Sequence, residues 1–225
     1  MTNHSETALE HTDNLSQQLR IPCEMISLHR DLSTATLPDG GSLRGRRQHT
    51  LRWGAFLLIY GALEGYYESL LGYRAIKNRT LSLDPTRVQQ FANETHGVTL
   101  FNNSWACRTR VRPASGTNHS EWHTFSGVRA INTYLGDLKS LRDLLSHGGD
   151  PYAARNLSGA LWTIKRGESM RIMGVEGFLQ AACDLADHTA IAFGVGLAEL
   201  PDWPRPTRSE LSALPLPELS SLPGR

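Results

Sequence analysis

Residues Arg44 to Lys77 read RGRRQHTLRWGAFLLIYGALEGYYESLLGYRAIK, and this stretch decides the fold class. Leu51, Ala55, Leu58, Ala62, Tyr66 and Leu70 recur at three- and four-residue steps, and Phe56, Tyr60, Leu63, Tyr67 and Leu71 form an adjoining stripe. Two adjoining stripes make an apolar arc too wide for a helix that is covered on one side only. The spacing therefore predicts a central helix with other helices around it.

The flanking segments carry weaker signals of the same kind. A short helix is predicted from Ile21/Pro22 to about Leu32, with Pro22 at its start, and residues 33–43 have the composition of a loop. Asp84-Pro85 reads as an N-cap followed by proline at the first helical position, and Gly97 as a stop. Residues 98–120 mix β-branched residues, Trp105 and a polar turn-rich run, which suits a long connection, either open loop or short hairpin. Val128, Ile131, Leu135, Leu138, Leu141 and Leu145 keep a helical period from about Ser126 to His147, where Gly148-Gly149 supplies a stop. Asp150-Pro151 predicts a further helix to about Arg166, and a last one is expected over 169–195 on Ile172, Val175, Phe178, Leu179, Ala182 and Ala186. No run alternates convincingly as a strand. The expectation is an all-α bundle of about five helices over residues 21–198, between a flexible segment 1–20 and a disordered Pro/Ser-rich tail 199–225.

A chain of 225 residues fits one compact domain plus tails. Its 23 Lys+Arg against 22 Asp+Glu leave a formal charge of +1, which excludes a protein that coats nucleic acid through overall charge. Contact with nucleic acid would have to come from local clusters such as Arg44, Arg46, Arg47 and Arg52. Cys23, Cys107 and Cys183 are scattered with no CxxC spacing, which excludes a disulfide framework or a four-cysteine zinc site within the chain. The stretch Met1 to Asp13 is polar and acidic, and the longest apolar run, Trp53 to Leu63, is about half of what a membrane span needs. A cytoplasmic protein without a membrane partner is expected.

One segment stands out for chemistry: Leu141-Arg142-Asp143-Leu144-Leu145-Ser146-His147-Gly148-Gly149. A five-residue step turns a helix by about 140° beyond a full turn, so Arg142 and His147 converge on one ligand only if the histidine sits where the helix ends. The spacing R-x4-6-H alone decides nothing, since Arg44–His49 and Arg112–His119 also satisfy it. Arg112–His119 contains Pro113 and Gly116, however, and Arg44–His49 has little apolar framing. Only Arg142–His147 closes a long amphipathic helix. His119 and His123 enclose Glu121 at the wrong position for a zinc-protease pair, and Asp184 with His188 lacks a third ligand, so neither a metal nor a cofactor is expected.

The pattern L-R-D-x-x-x-H-G around Arg142 and His147 resembles the catalytic motif of the HEPN superfamily. The segment Arg52 to Tyr67, in which an apolar run ends in Glu64, is similar to that family's first core helix, and the resemblance extends over about residues 45–195. It implies an α-helical homodimer acting as a metal-independent endoribonuclease, of the kind found in toxins and phage-defence effectors that a cognate antitoxin or inhibitor restrains. RNA cleavage by attack of the 2′-OH on its own phosphodiester would use His147 as general acid/base and Arg142 on the phosphate, with Glu64 and Asp143 orienting them. Arg46, Arg47, Arg52 and Ser146 are the expected RNA-binding residues. One toxin branch carries a tyrosine two residues after the motif histidine as the target of a nucleotidyltransferase partner; Gly149 stands here, so that form of control is not expected. The rival expectation is a catalytically silent module of the same fold that binds a nucleotide or a protein.

Overall fold

The computed structural model describes residues 4–34, 48–112 and 120–207. Helices α1 (His4–Gln18) and α2 (Arg20–Thr34) precede α3 (His49–Leu70), which is followed by α4 (Tyr73–Lys77) and α5 (Pro85–His96). Strands β1 (Ala106–Val111) and β2 (Glu121–Ser126) form an antiparallel hairpin leading into α6 (Gly127–Ser146). A 3-10 turn at Pro151–Ala153, a second hairpin of β3 (Trp162–Ile164) and β4 (Gly167–Ser169), α7 (Ile172–Ala192) and another 3-10 turn at Leu197–Glu199 complete the order. The molecule is mostly helical. Its two small sheets correct the all-α expectation.

Helix α3 is central, as its two apolar stripes require. It buries Phe56, Tyr60, Leu63 and Tyr67 of one stripe and Ala55, Ala62, Tyr66 and Leu70 of the other, and it packs on α1, α2, α6 and α7. Leu58 alone among the larger stripe residues is left exposed. Phe56 and Tyr60 meet Phe178 of α7 at ring distances of 5.6 and 6.1 Å, which ties the two longest helices together. The helix stops at Leu70, before the Lys77 that periodicity suggests, and residues 44–47 of the predicted start lie outside the described residues.

Among the described residues, the most extensive packing is between β1 and α7. All six residues of β1 are buried, and the sequence ACRTRV hides the strand because two of them are arginines. Those charges are paired. Arg108 grips Asp184 of α7 with Nε and Nη2 at 3.0 and 2.7 Å, while Arg110 and Arg30 of α2 both reach Oε2 of Glu176, at 2.9 and 2.6 Å. Buried ions are tolerated only in such company. Gly177 makes the approach of the strand to α7 feasible, because a Cβ there would collide with Arg110 N and Thr109.

Three further expectations are corrected. The segment 1–20 is not a frayed end within its described part: α1 buries Ala8, Thr12, Leu15 and Ser16 at helical spacing, and Thr12 Oγ1 bonds Ala8 O. The predicted helix over 150–166 is only the 3-10 turn, after which Asn156 fixes a turn through Leu161 N and Leu161 O, and the β-forming Trp162-Thr163-Ile164 enters a hairpin. Residues 200–207 of the expected tail lie across α1, α2 and α7. Ser16 Oγ bonds Asp202 O, Trp203 Nε1 bonds Asp187 Oδ1, and Arg30 and Ser27 hold Thr207 by its carbonyl and N–H. Residues 208–225 lie outside the described residues. No described helix is long and apolar enough to cross a membrane.

Candidate active site

Helix α6 ends as its glycines dictate. His147 takes the C-cap position with its N–H on Asp143 O, Gly148 turns left-handed at φ +70°, and Gly149 N returns to Leu144 O at 2.8 Å. A left-handed residue followed by that return bond is a Schellman stop, and it is strained for any side chain other than glycine. His147 is thereby held, exposed, at the last point of the helix.

Glu64 faces this end from α3. Its Oε1 accepts Arg142 Nη2 at 2.8 Å and the backbone N–H of Leu83 at 3.0 Å. Arg142 Nη1 lies 3.0 Å from Asp143 Oδ1, and the other oxygen of Asp143 accepts Lys139 Nζ at 2.6 Å. The guanidinium also stacks 5.0 Å from the ring centre of the fully buried Tyr60. A chain of alternating charge therefore runs Glu64–Arg142–Asp143–Lys139, with Arg142 about four-fifths buried.

These contacts set the electrostatics. Burial raises the pKa of Glu64 above the ordinary glutamate value, and the Leu83 N–H and Arg142 only partly offset it. For Arg142 burial works downward, but Glu64, Tyr60 and Asp143 together outweigh it and hold the guanidinium above its ordinary value. Burial also pushes the Tyr60 hydroxyl well up, so it stays protonated.

Glu64, Arg142, Asp143 and His147 line one cleft of about 570 Å³, together with Lys139, Glu68 and the 80–82 segment. Four residues from two helices far apart in sequence are thus brought to one surface. Glu68 Oε1 and Ser82 Oγ, both buried atoms, have no hydrogen-bond partner among the described residues. Neither of the two expected RNA-binding residues that are described joins the cleft. Ser146 is exposed but does not line the cleft, and Arg52 sits three turns before Glu64 on α3, about 18 Å along the axis, over Trp53. Arg46 and Arg47 lie outside the described residues.

Of the remaining titratable candidates, His119 lies outside the described residues and the others are used elsewhere. Asp184 is taken by Arg108, His188 stacks on Trp105 and contacts Ala106 O, and His123 sits edge-on to Phe125. No group of three or more His, Cys, Asp or Glu among the described residues is placed to hold a metal ion. Sequence reading missed Lys139, Glu68 and Tyr60 as neighbours of the site. Two signals were present: Lys139 and Asp143 form an i,i+4 ion pair, and Glu68 follows Glu64 by one turn. No protein-family model, curated protein or solved structure matches this chain.

Proposed function

We propose that the chain is a metal-independent endoribonuclease of the HEPN type, acting as a homodimer in a toxin or defence role and held in check by a cognate inhibitor. The observation that carries this reading is the convergence of Arg142, His147, Asp143 and Glu64 on one cleft. His147 brings to it an imidazole, which can accept a proton at one nitrogen and donate one from the other, and Arg142 is a planar cation suited to a phosphoryl group.

In this mechanism the imidazole of His147 takes the proton of a ribose 2′-OH. The 2′-oxygen forms a bond to phosphorus, the bond from phosphorus to the 5′-oxygen breaks, and the products are a 2′,3′-cyclic phosphate and a 5′-hydroxyl. The departing oxygen takes its proton from the second copy of the motif across the dimer. Arg142 neutralises the charge on the phosphoryl oxygens, and Glu64 fixes the guanidinium from α3. Dimerisation is supported by the exposed Leu58, which shares a face of α3 with Gly61 and Gly65 beside the cleft, where a Cβ would meet nothing.

A second reading, a silent binding module, draws support from one fact: both terminal nitrogens of Arg142 already contact carboxylates. The deciding experiment incubates purified protein with mixed RNA, with and without EDTA, beside His147→Ala. Cleavage that resists EDTA and vanishes in the variant supports the nuclease. Absence of cleavage, once a co-purified inhibitor is excluded, supports the module, and cleavage that EDTA stops overturns the metal-independent mechanism.

A further inference from the structure

A second cleft, of about 700 Å³, adjoins the first and shares Lys139 and Asp143 with it. The two follow one face of α6: Asn132, Gly136, Lys139/Ser140, Asp143 and His147 recur at three- and four-residue steps. From Asn132 to His147 this face runs about 22 Å, longer than one nucleotide can occupy.

The second cleft is built like a ligand site. Leu83, Pro85, Leu144 and Ala153 give it apolar walls, Asn132, Thr86, Ser140 and Lys139 add neutral and cationic polar groups, and the carboxylates of Asp84 and Asp143 also border it. Its volume falls within the roughly 300–1,000 Å³ usual for small-molecule sites. Arg155 closes one side, with Nε on Asp137 Oδ1 at 2.8 Å, its backbone N–H on Ser140 Oγ at 3.1 Å, and its guanidinium laid against the bare backbone of Gly136. A nucleobase has flat apolar faces and a polar edge, and such walls match it. Lys139 stands where the two clefts meet, with its side chain 38% exposed and one carboxylate contact.

We infer that this cleft is a nucleotide subsite, in which the base next to the cleaved linkage lodges while Lys139 binds the phosphate between the two clefts. The inference rests on the ribonuclease reading for its substrate. It makes the enzyme one that prefers single-stranded RNA of several nucleotides over a dinucleotide, because only the longer strand fills both clefts.

The test compares the parent with Asn132→Trp, which fills the second cleft from an α6 surface position, and with Lys139→Gln. Two readouts are taken on defined RNAs: the ratio of kcat/KM for a hexanucleotide to that for a dinucleotide, and the binding of a labelled hexanucleotide carrying 2′-O-methyl groups, which cannot be cleaved. The parent ratio is expected to be about tenfold or more, and Asn132→Trp should bring it close to one with the helical circular dichroism retained. Lys139→Gln should lower the salt dependence of binding by about 0.7 in the slope of log K against log salt, the loss of one phosphate contact. An unchanged ratio and unchanged binding in Asn132→Trp overturn the subsite while leaving the nuclease in place. If the parent cleaves nothing but binds the methylated strand, and Asn132→Trp abolishes that binding, the subsite stands and the nuclease reading falls. A parent that neither cleaves nor binds RNA overturns both.

Discussion

Arg142 of α6 and Glu64 of α3 meet at 2.8 Å across 78 residues of sequence, and Glu64 at the same time accepts the N–H of Leu83. The carboxylate is therefore a three-way joint between α6, α3 and the segment entering α5. It fixes the angle at which the arginine reaches the cleft, and the arginine is presented by the fold more than by its own helix.

Replacing His147 by alanine separates chemistry from folding, whereas Arg142→Ala also leaves Glu64 without its partner. His147 is exposed, so His147→Ala should leave stability within about 0.5 kcal/mol of the parent. RNA cleavage should fall by at least about 100-fold, the usual worth of a general acid/base. Activity retained in both variants would remove them from the site.

Glu64→Gln keeps an acceptor for Leu83 and discards the charge. Because burial raises the folded pKa of Glu64, the unfolded chain releases that proton first as pH rises. The folded state then holds more protons, so the Glu64 contribution to stability declines with rising pH, from the ordinary glutamate value up to the raised one. Urea unfolding at a series of pH values rising from the ordinary glutamate value should show the parent losing stability relative to Glu64→Gln. A difference independent of pH would mean that Glu64 is not perturbed.

Gly177→Ala places a methyl against Arg110 N and Thr109. Forcing β1 away from α7 should cost about 1–3 kcal/mol in urea unfolding. Gly65→Ala on α3 meets open space and should instead gain roughly 0.5–1 kcal/mol from helix propensity. Equal effects at the two positions would contradict the close packing of strand on helix.

Trp203 anchors the segment that follows α7. Trp203→Phe removes the bond to Asp187 together with part of the packed ring and should cost about 1 kcal/mol or somewhat more, whereas Trp203→Ala should cost roughly twice that. Two silent variants would show that residues 200–207 are not held.

Leu58→Glu tests the dimer. Sedimentation should shift toward the monomer and RNA cleavage should fall in parallel, by about tenfold or more. A verified monomer with full activity would sink the composite site.

The central helix was legible because α3 is apolar on two sides, and α5 because Asp84-Pro85 and Gly97 are local signals that tertiary context does not alter. Helix α1 was not legible. Its buried face is Ala8, Thr12 and Ser16 with a lone Leu15, small and polar residues that score as solvent-facing. Strand β1 was hidden for the opposite reason, since Arg108 and Arg110 are buried only because α7 supplies Asp184 and Glu176 some 70 residues later. At the cleft, the end of α6 at His147 could be read from Gly148-Gly149. The link to Glu64 rested on a resemblance, because no local pattern says which glutamate an arginine will meet. Lys139 could have been read as the partner of Asp143, but nothing in a single helix says that its surface borders a second cleft.

The bond from Ser16 to Asp202 spans 186 residues, so its two ends are made at very different times. At roughly 5–20 residues per second on a ribosome, α1 waits about 10–40 s for the segment that completes its cover. Through that interval Ser16 lacks its partner, and the modest apolar content of α1 and α2 gives the newborn chain little that would stick to its neighbours. The small and polar residues that concealed α1 in the sequence are thus also suited to a helix that must stay soluble while it waits.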